Sequence, residues 1–270
     1  DEDRFNFKVP ENAKDLFKEN LKLSASQIEK YHKCRFAYFC EYGLKIKPKN
    51  LADFNFMDYG TLIHYLFEKL FKKYGVKSDF SFTQEEIEKE ISNLLENYIN
   101  QKLGGLENKP KFFLYTIERL KNSVIFLMKH FKEEFDQSEF KVFDTEIEIS
   151  KHGKVKPLNF PVSENSNITI EGKVDRADIM RNSSGNYVRI IDYKTGTKTF
   201  KLSDVFYGLN MQMLIYLLTI SKNGMESLKN LKPAGILYFN AIKPVAQSFS
   251  GNNSKKVFDD IEKKLKMNGL

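Results

Sequence analysis

The chain predicts an α/β fold in αβββαβ order, a mixed sheet flanked by helices, with a helical insertion ahead of the strands. Three observations lead there. Apolar residues recur at helical spacing through most of residues 57–135. The pattern switches to period two between Val142 and Tyr193. One more helix and one more apolar strand then close the series.

Residues 1–22 are polar and mixed in charge and read as a loosely docked lead-in. Leu23-Ser24-Ala25-Ser26-Gln27 reads as a helix start, with Ser24 as N-cap and Gln27 at the capping-box position. This helix is expected to stop near Lys33, and a second short one covers Phe36 to Tyr42 before Gly43. Met57 to Tyr74 predicts a helix with Leu62, Leu66, Phe67, Leu70 and Phe71 on one stripe and Gly75 at its end. Thr83 caps another, which opens with Gln84-Glu85-Glu86 and runs to about Leu103, where Gly104-Gly105 breaks it. Phe112 to Phe135 follows, with Phe113, Ile117, Leu120, Val124, Leu127 and Phe131 in register. These two long helices carry no chemistry-bearing cluster and read as an insertion or wall over about residues 76–136, within a domain spanning 23–270.

From Val142 to Ser150 the sequence sets Val142, Asp144, Glu146 and Glu148 against Phe143, Thr145, Ile147 and Ile149. Ile168 to Met180 and Tyr187 to Tyr193 continue the strands, joined by the turn Asn182-Ser183-Ser184-Gly185-Asn186. A helix from about Asp204 to Ser221 and a strand from Pro233 to Ala241 complete the order, and no internal repeat is visible.

Bulk properties narrow the class only a little. Hydrophobic residues at 41% and charged residues at 29% are ordinary for a globular chain. The most apolar stretch, Met213 to Ile220, falls far short of the ~20 residues needed to span a bilayer. The opening Asp1-Glu2-Asp3-Arg4 is unlike a signal peptide, so a cytoplasmic location and no membrane partner are the expectation. A net charge of +7 agrees with a nucleic-acid partner but argues for one weakly, because the lysines are scattered.

The chemistry concentrates in two segments. Gly172-Lys173-Val174-Asp175-Arg176-Ala177-Asp178 and Ile190-Ile191-Asp192-Tyr193-Lys194-Thr195-Gly196 each place an acid at the end of a strand-like run. Strand alternation puts Asp192 and Lys194 on one face, with Ile191 and Tyr193 turned to the core. Two carboxylates beside an ammonium suit magnesium-dependent phosphodiester cleavage, because hard cations select oxygen ligands and the cation meets developing phosphate charge. Gln212 and Tyr216, at i and i+4, share one helix face, and Gly60-Thr61-Leu62-Ile63-His64 places a histidine one position from an apolar stripe.

This layout resembles the PD-(D/E)XK nuclease superfamily, whose restriction-endonuclease-like core has the same order, and in particular its RecB-like branch. Gly60 to His64, Gly172 to Asp178, Asp192 to Gly196 and Gln212-x-x-x-Tyr216 match its four motifs in sequence. Each motif alone is common; four in order are specific. The segment from Leu23 through Cys34 to Phe39, together with Tyr207 to Gln212 and Pro233 to Phe239, looks like the AddB nuclease domain of AddAB-type helicase–nucleases.

The resemblance implies roles for these residues. His64, Asp175, Asp192 and the Tyr193 carbonyl hold Mg²⁺ or Mn²⁺, Lys194 assists the attacking water, and Gln212 and Tyr216 hold Lys194 or the DNA strand. It implies a single-stranded DNA substrate fed from a duplex end by a helicase partner (AddA-like), with the 5′-terminated strand degraded. It also makes Cys34 the first ligand of a [4Fe–4S] cluster. The chain has only Cys34 and Cys40, and two thiols cannot supply four ligands. The expectation is therefore a fragment of a larger protein, with the cluster belonging to the full-length chain. No GxxxxGK(S/T) sequence is present, so this chain carries no ATPase motor of that type.

Plainer readings stand beside these. Glu146 is balanced between a solvent-facing charge and a secondary site acid, and Tyr216 serves equally as a core aromatic. Arg176 and Asp178 pair with each other more readily than Arg176 contacts DNA, and Cys34 reads as a small buried apolar residue in this chain. Two alternative functions remain open: a non-catalytic DNA-binding scaffold on a nuclease fold, and a free-standing RecB-like exonuclease of the CRISPR-adaptation type.

Overall fold

The computed structural model describes residues 16–17, 20–46, 56–75, 80–107, 109–164, 166–196, 198–244 and 261–270. Most of the expected lead-in lies outside the described residues. Strand β1, Leu21–Ser24, leads into helix α1, Ala25–Lys33, through a full capping box. The Ser24 hydroxyl accepts the Gln27 N–H at 3.2 Å, and the Gln27 side chain accepts the Ser24 N–H at 2.8 Å. The end of the lead-in is thus sheet. Four residues, half of them polar, are too few to show a period.

Helix α2, Arg35–Tyr38, runs into a wider turn over Phe39–Gly43, closed by the Leu44 N–H on the Phe39 carbonyl. Helix α3, Phe56–Leu70, likewise ends in a wide turn, Phe71–Gly75. Helix α4, Gln84–Leu103, starts at a Thr83–Glu86 capping box and stops at Gly104, whose φ of 74° is left-handed. Helix α5, Lys111–Gln137, buries Phe113, Leu120, Val124, Leu127 and Phe131, the register read from the sequence.

Strand β2 is Lys141–Ile149, β3 is Leu158–Ser163, β4 is Ser166–Asn182 and β5 is Gly185–Lys194. The single helix expected over 204–221 is divided into α6, Leu202–Phe206, and α7, Gln212–Asn223. The reason is local: Gly208 and Asn210 both have positive φ, at 75° and 55°, which a continuous helix excludes. Strand β6, Lys232–Asn240, and a short β7, Asn268–Gly269, complete the order.

The sheet is mixed, as the sequence predicts. β4 pairs antiparallel with β2 and β5, and β5 runs parallel to β6 across α7. The long β4 extends past this core, where its first half pairs with β1 and β3. β3 and β7 escape the sequence reading: β3 is exposed at five of six positions and β7 has two residues.

Each face of the sheet has its own core. On one, α3, α4 and α5 close over Val142, Ile191, Tyr193 and Phe239, and Phe67, Phe71 and Phe131 are fully buried. On the other, α7 brings Met213, Tyr216, Leu217 and Ile220 onto Val174, Ala177, Val188 and Ile190. At about 1.5–3 kcal/mol for each buried large apolar side chain, these two clusters dominate the folding energy. Helices α4 and α5 therefore share their core with the strand that carries Tyr193.

Candidate active site

The site lies where β4 and β5 part. Their ladder runs up to the Arg176–Ile191 pair. One step further, the Asp175 carboxylate accepts the Tyr193 backbone N–H at 2.8 Å, in place of a ladder carbonyl. Helix α3 covers this fork. Its apolar stripe is pinned in the core, which fixes the rotation of the helix and turns the half-buried His64 towards the strands. His64 Nε2 donates to the Tyr193 carbonyl at 3.1 Å, and its Nδ1 stands 3.4 Å from Asp175 Oδ2 and 3.9 Å from Glu146 Oε1.

Glu146 joins the site through an uncommon backbone. Its φ is +53°, the left-handed region that a glutamate adopts at a cost, and it does so within a β-strand. Such strain tends to persist where surrounding structure holds a side chain at a working site. Lys173 forms an ion pair with the same carboxylate. Burial works against ionisation of Glu146, but the His64 and Lys173 contacts outweigh it and hold the carboxyl below its ordinary value. Burial likewise opposes the His64 charge, yet the Asp175 and Glu146 carboxylates prevail and push it up to about 10.

Asp192 and Lys194 share one face, as strand alternation requires, with Lys194 Nζ 2.5 Å from Asp192 Oδ2. Asp192 is only 5% exposed. Burial raises its pKa, the Asp175 charge adds to the rise, and Lys194 and Lys198 oppose it. Ile191 and Tyr193 enter the opposite core, where the Tyr193 ring sits 4.7 Å from that of Phe67.

Gln212 and Tyr216 occupy α7 on the Asp192 side. Their hydrogen bonds run to each other and, from Tyr216, to the backbone at Lys173, rather than to Lys194. The Tyr216 ring presses so closely on β4 that a Cβ on Gly172 would lie 2.3 Å from its hydroxyl. This close approach explains the glycine three residues before Asp175. Tyr216 thus packs as a core aromatic and fixes the strand that presents Asp175.

Arg176 and Asp178 are fully buried and paired, at 2.9 Å between Nε and Oδ1, which leaves Arg176 no route to a DNA contact. The guanidinium lies over the Phe71 ring at 4.6 Å, and Arg189 bridges Asp178 to Glu134. Cys34 corrects the sequence reading in the other direction. It is exposed, and its sulfur caps α2 by accepting the Ala37 N–H at 3.4 Å. Both cysteines are free, and two thiols do not fit a four-thiolate cluster.

The residues at the fork fit a divalent cation. His64, Glu146 and Asp175 each offer a ligand atom, all within 4.8 Å of one another, and the Tyr193 carbonyl and Asp192 adjoin them. Carboxylate, carbonyl and one imidazole make a donor set for Mg²⁺ or Mn²⁺. The same field that raises the His64 pKa is what a cation would neutralise. Sequence reasoning selected His64, Asp175, Asp192 and Tyr193 and left Glu146 balanced. Its place in the strand's period was the available signal, but the left-handed backbone that directs it here is not encoded in that period.

Comparison with known proteins agrees with this geometry. The family profile of the PD-(D/E)XK nuclease superfamily matches residues 22–268. The B-type subunit of an ATP-dependent helicase/deoxyribonuclease from Caldanaerobacter subterraneus subsp. tengcongensis is 32% identical over 266 residues, 97% of this chain and 23% of the relative. The proteins of the same name from Clostridium acetobutylicum and Clostridium botulinum strain Loch Maree are 30% and 33% identical, over 96% and 95% of this chain. The chain spans less than a quarter of the length of these relatives. With the αβββαβ order, the fork between β4 and β5 and a profile match over nearly all its length, this chain belongs to the PD-(D/E)XK nuclease superfamily.

Proposed function

We propose that this chain is a Mg²⁺- or Mn²⁺-dependent deoxyribonuclease domain that hydrolyses single-stranded DNA as an exonuclease. The observation that carries this reading is the convergence of His64, Glu146 and Asp175 within 4.8 Å, beside the Asp192–Lys194 pair. Asp175, Asp192, His64 and the Tyr193 carbonyl would hold the cation, with Glu146 as a further ligand or a partner that orients His64. Bound there, the cation supplies Lewis-acid stabilisation of charge on the phosphate.

The chain's own groups do the rest. His64 gives up its proton before ligating, since an imidazolium has no lone pair to offer. Lys194 contributes a fixed positive charge for the phosphate oxygens as water adds to phosphorus and the 3′-oxygen leaves. Tyr216 and Gln212 brace the Gly172–Asp175 segment. The buried Arg176–Asp178 pair supports the Tyr193 ring from below, with Arg176 Nη1 3.4 Å from its hydroxyl.

The names of the relatives extend the proposal. A helicase/deoxyribonuclease built from more than one kind of subunit implies a partner that feeds the strand, action at double-strand-break ends with the 5′-terminated strand degraded, and a cytoplasmic setting. Among the described residues no helix is long and apolar enough to cross a membrane.

Asp192→Ala and Lys194→Ala should each abolish Mg²⁺-dependent degradation of single-stranded DNA while leaving the circular-dichroism melt cooperative. Full activity in either variant overturns the reading. Absence of Mn²⁺ binding up to millimolar concentration in the wild type would favour a non-catalytic scaffold instead.

A further inference from the structure

A small cavity of about 120 Å³ opens next to the acidic fork. Four lysines line it, Lys194, Lys198, Lys264 and Lys266, together with Asn240 and Asn268, and among the described residues no aspartate or glutamate does. Lysine side chains on a protein surface ordinarily spread apart. Four of them around one small space repel one another, and an anion between them relieves that repulsion. The Lys194 ammonium reaches both ways, to this cavity and to Asp192 at the fork.

The fold holds this arrangement in place. Leu265 is buried in the α3–α5 core, which fixes the segment on which Lys264 and Lys266 flank it. β7 then pairs with β6, and the Asn268 side chain accepts the Phe200 N–H at 2.7 Å, tying down the loop that carries Lys198. Lys198 Nζ stands 4.8 Å over the ring of Tyr238, which lines the same cavity. Tyr238 is 3% exposed, and its buried hydroxyl has no hydrogen-bond partner among the described residues. A buried donor left open beside four lysines suits an anionic oxygen.

We infer that this cavity is a phosphate subsite gripping the nucleic-acid backbone next to the phosphodiester held at the fork. The assignment rests on the nuclease reading above. Sharing Lys194 makes the two sites adjacent, so the occupant is a neighbouring phosphate of the same strand. Lysine as a point charge and Tyr238 as a neutral donor read a backbone and not a base, so the subsite holds any sequence.

The test separates binding from cleavage. A fluorescent oligothymidylate is bound in EDTA while NaCl is titrated, with wild type, Lys264→Gln/Lys266→Gln, and Lys263→Gln as control. Two lost phosphate contacts lower the log–log salt slope by about 1.4 and weaken binding roughly 25-fold at 0.1 M salt. The Lys263→Gln variant keeps the wild-type slope, and Lys264→Arg/Lys266→Arg restores it. With Mg²⁺ present, the loss in the glutamine variant falls on KM rather than kcat. An unchanged slope overturns the subsite even if the wild type cleaves DNA. A lysine-dependent slope without any cleavage overturns the nuclease reading instead. Loss of inorganic phosphate binding with oligonucleotide binding intact marks a free-anion site and overturns the backbone assignment.

Discussion

The Asp175 carboxylate accepts the Tyr193 backbone N–H across the fork between β4 and β5, at 2.8 Å. That bond holds two motif strands apart at the point where each presents a site oxygen. It also explains why the ladder ends at Arg176 and Ile191: the next backbone donor is already satisfied by a side chain.

Glu146 tests the strained ligand. Glu146→Gln keeps the shape but removes a charge from the cluster, and isothermal titration should give Mn²⁺ affinity weaker by roughly tenfold or more, in the range expected for losing a ligand or its orienting partner. Affinity equal to wild type would place Glu146 outside the site.

His64 makes cation binding depend on pH. Its pKa in the metal-free fold is pushed up to about 10, so the proton competes with the metal throughout the neutral range. Mn²⁺ affinity should rise by up to about tenfold per pH unit between pH 7 and 9, and His64→Asn should flatten that rise. The stability linkage has the opposite sense. A pKa raised above its unfolded value near 6.5 stabilises the metal-free protein fully below that pH, and the contribution fades as pH climbs through about 10. Thermal melts in EDTA should show that decline in the wild type and not in His64→Asn.

Gly172→Ala tests the contact behind the second motif. The new Cβ would stand 2.3 Å from the Tyr216 hydroxyl and 2.5 Å from its ring, so β4 or α7 must shift. A loss of about 1–3 kcal/mol is expected by urea denaturation. Tyr216→Leu should recover part of it in the double variant, because the leucine vacates that space.

The buried Arg176–Asp178 pair should respond unequally to its two halves. Asp178→Ala leaves Arg176 charged in an apolar pocket and should cost about 3–5 kcal/mol. Arg176→Met should cost less, because Asp178 keeps Arg189 at 2.9 Å. Equal losses in chemical denaturation would contradict this account.

Much of the site was legible in one dimension. Strand alternation is local stereochemistry, so Asp192 and Lys194 had to share a face whatever packed against them. Helical spacing gave the α3 stripe and put His64 at its margin, and the capping boxes at Ser24 and Thr83 followed from side chains within one turn. The division between α6 and α7 was missed because the residues on either side fit one helical period, and only the positive φ at Gly208 and Asn210 interrupts it.

The sequence by itself thus determined the order of the elements, the four motifs and the chemistry of their donors, all of which depend on neighbours a few residues apart. Tertiary structure decided what depends on distance in space. It turned Glu146 into the cluster and buried Arg176 away from any ligand. It exposed Cys34, and it brought Lys264 and Lys266 to Lys194 from a distant part of the chain. Those outcomes follow from how two faces of one sheet pack, and periodicity carries no record of which long-range partner a side chain will meet.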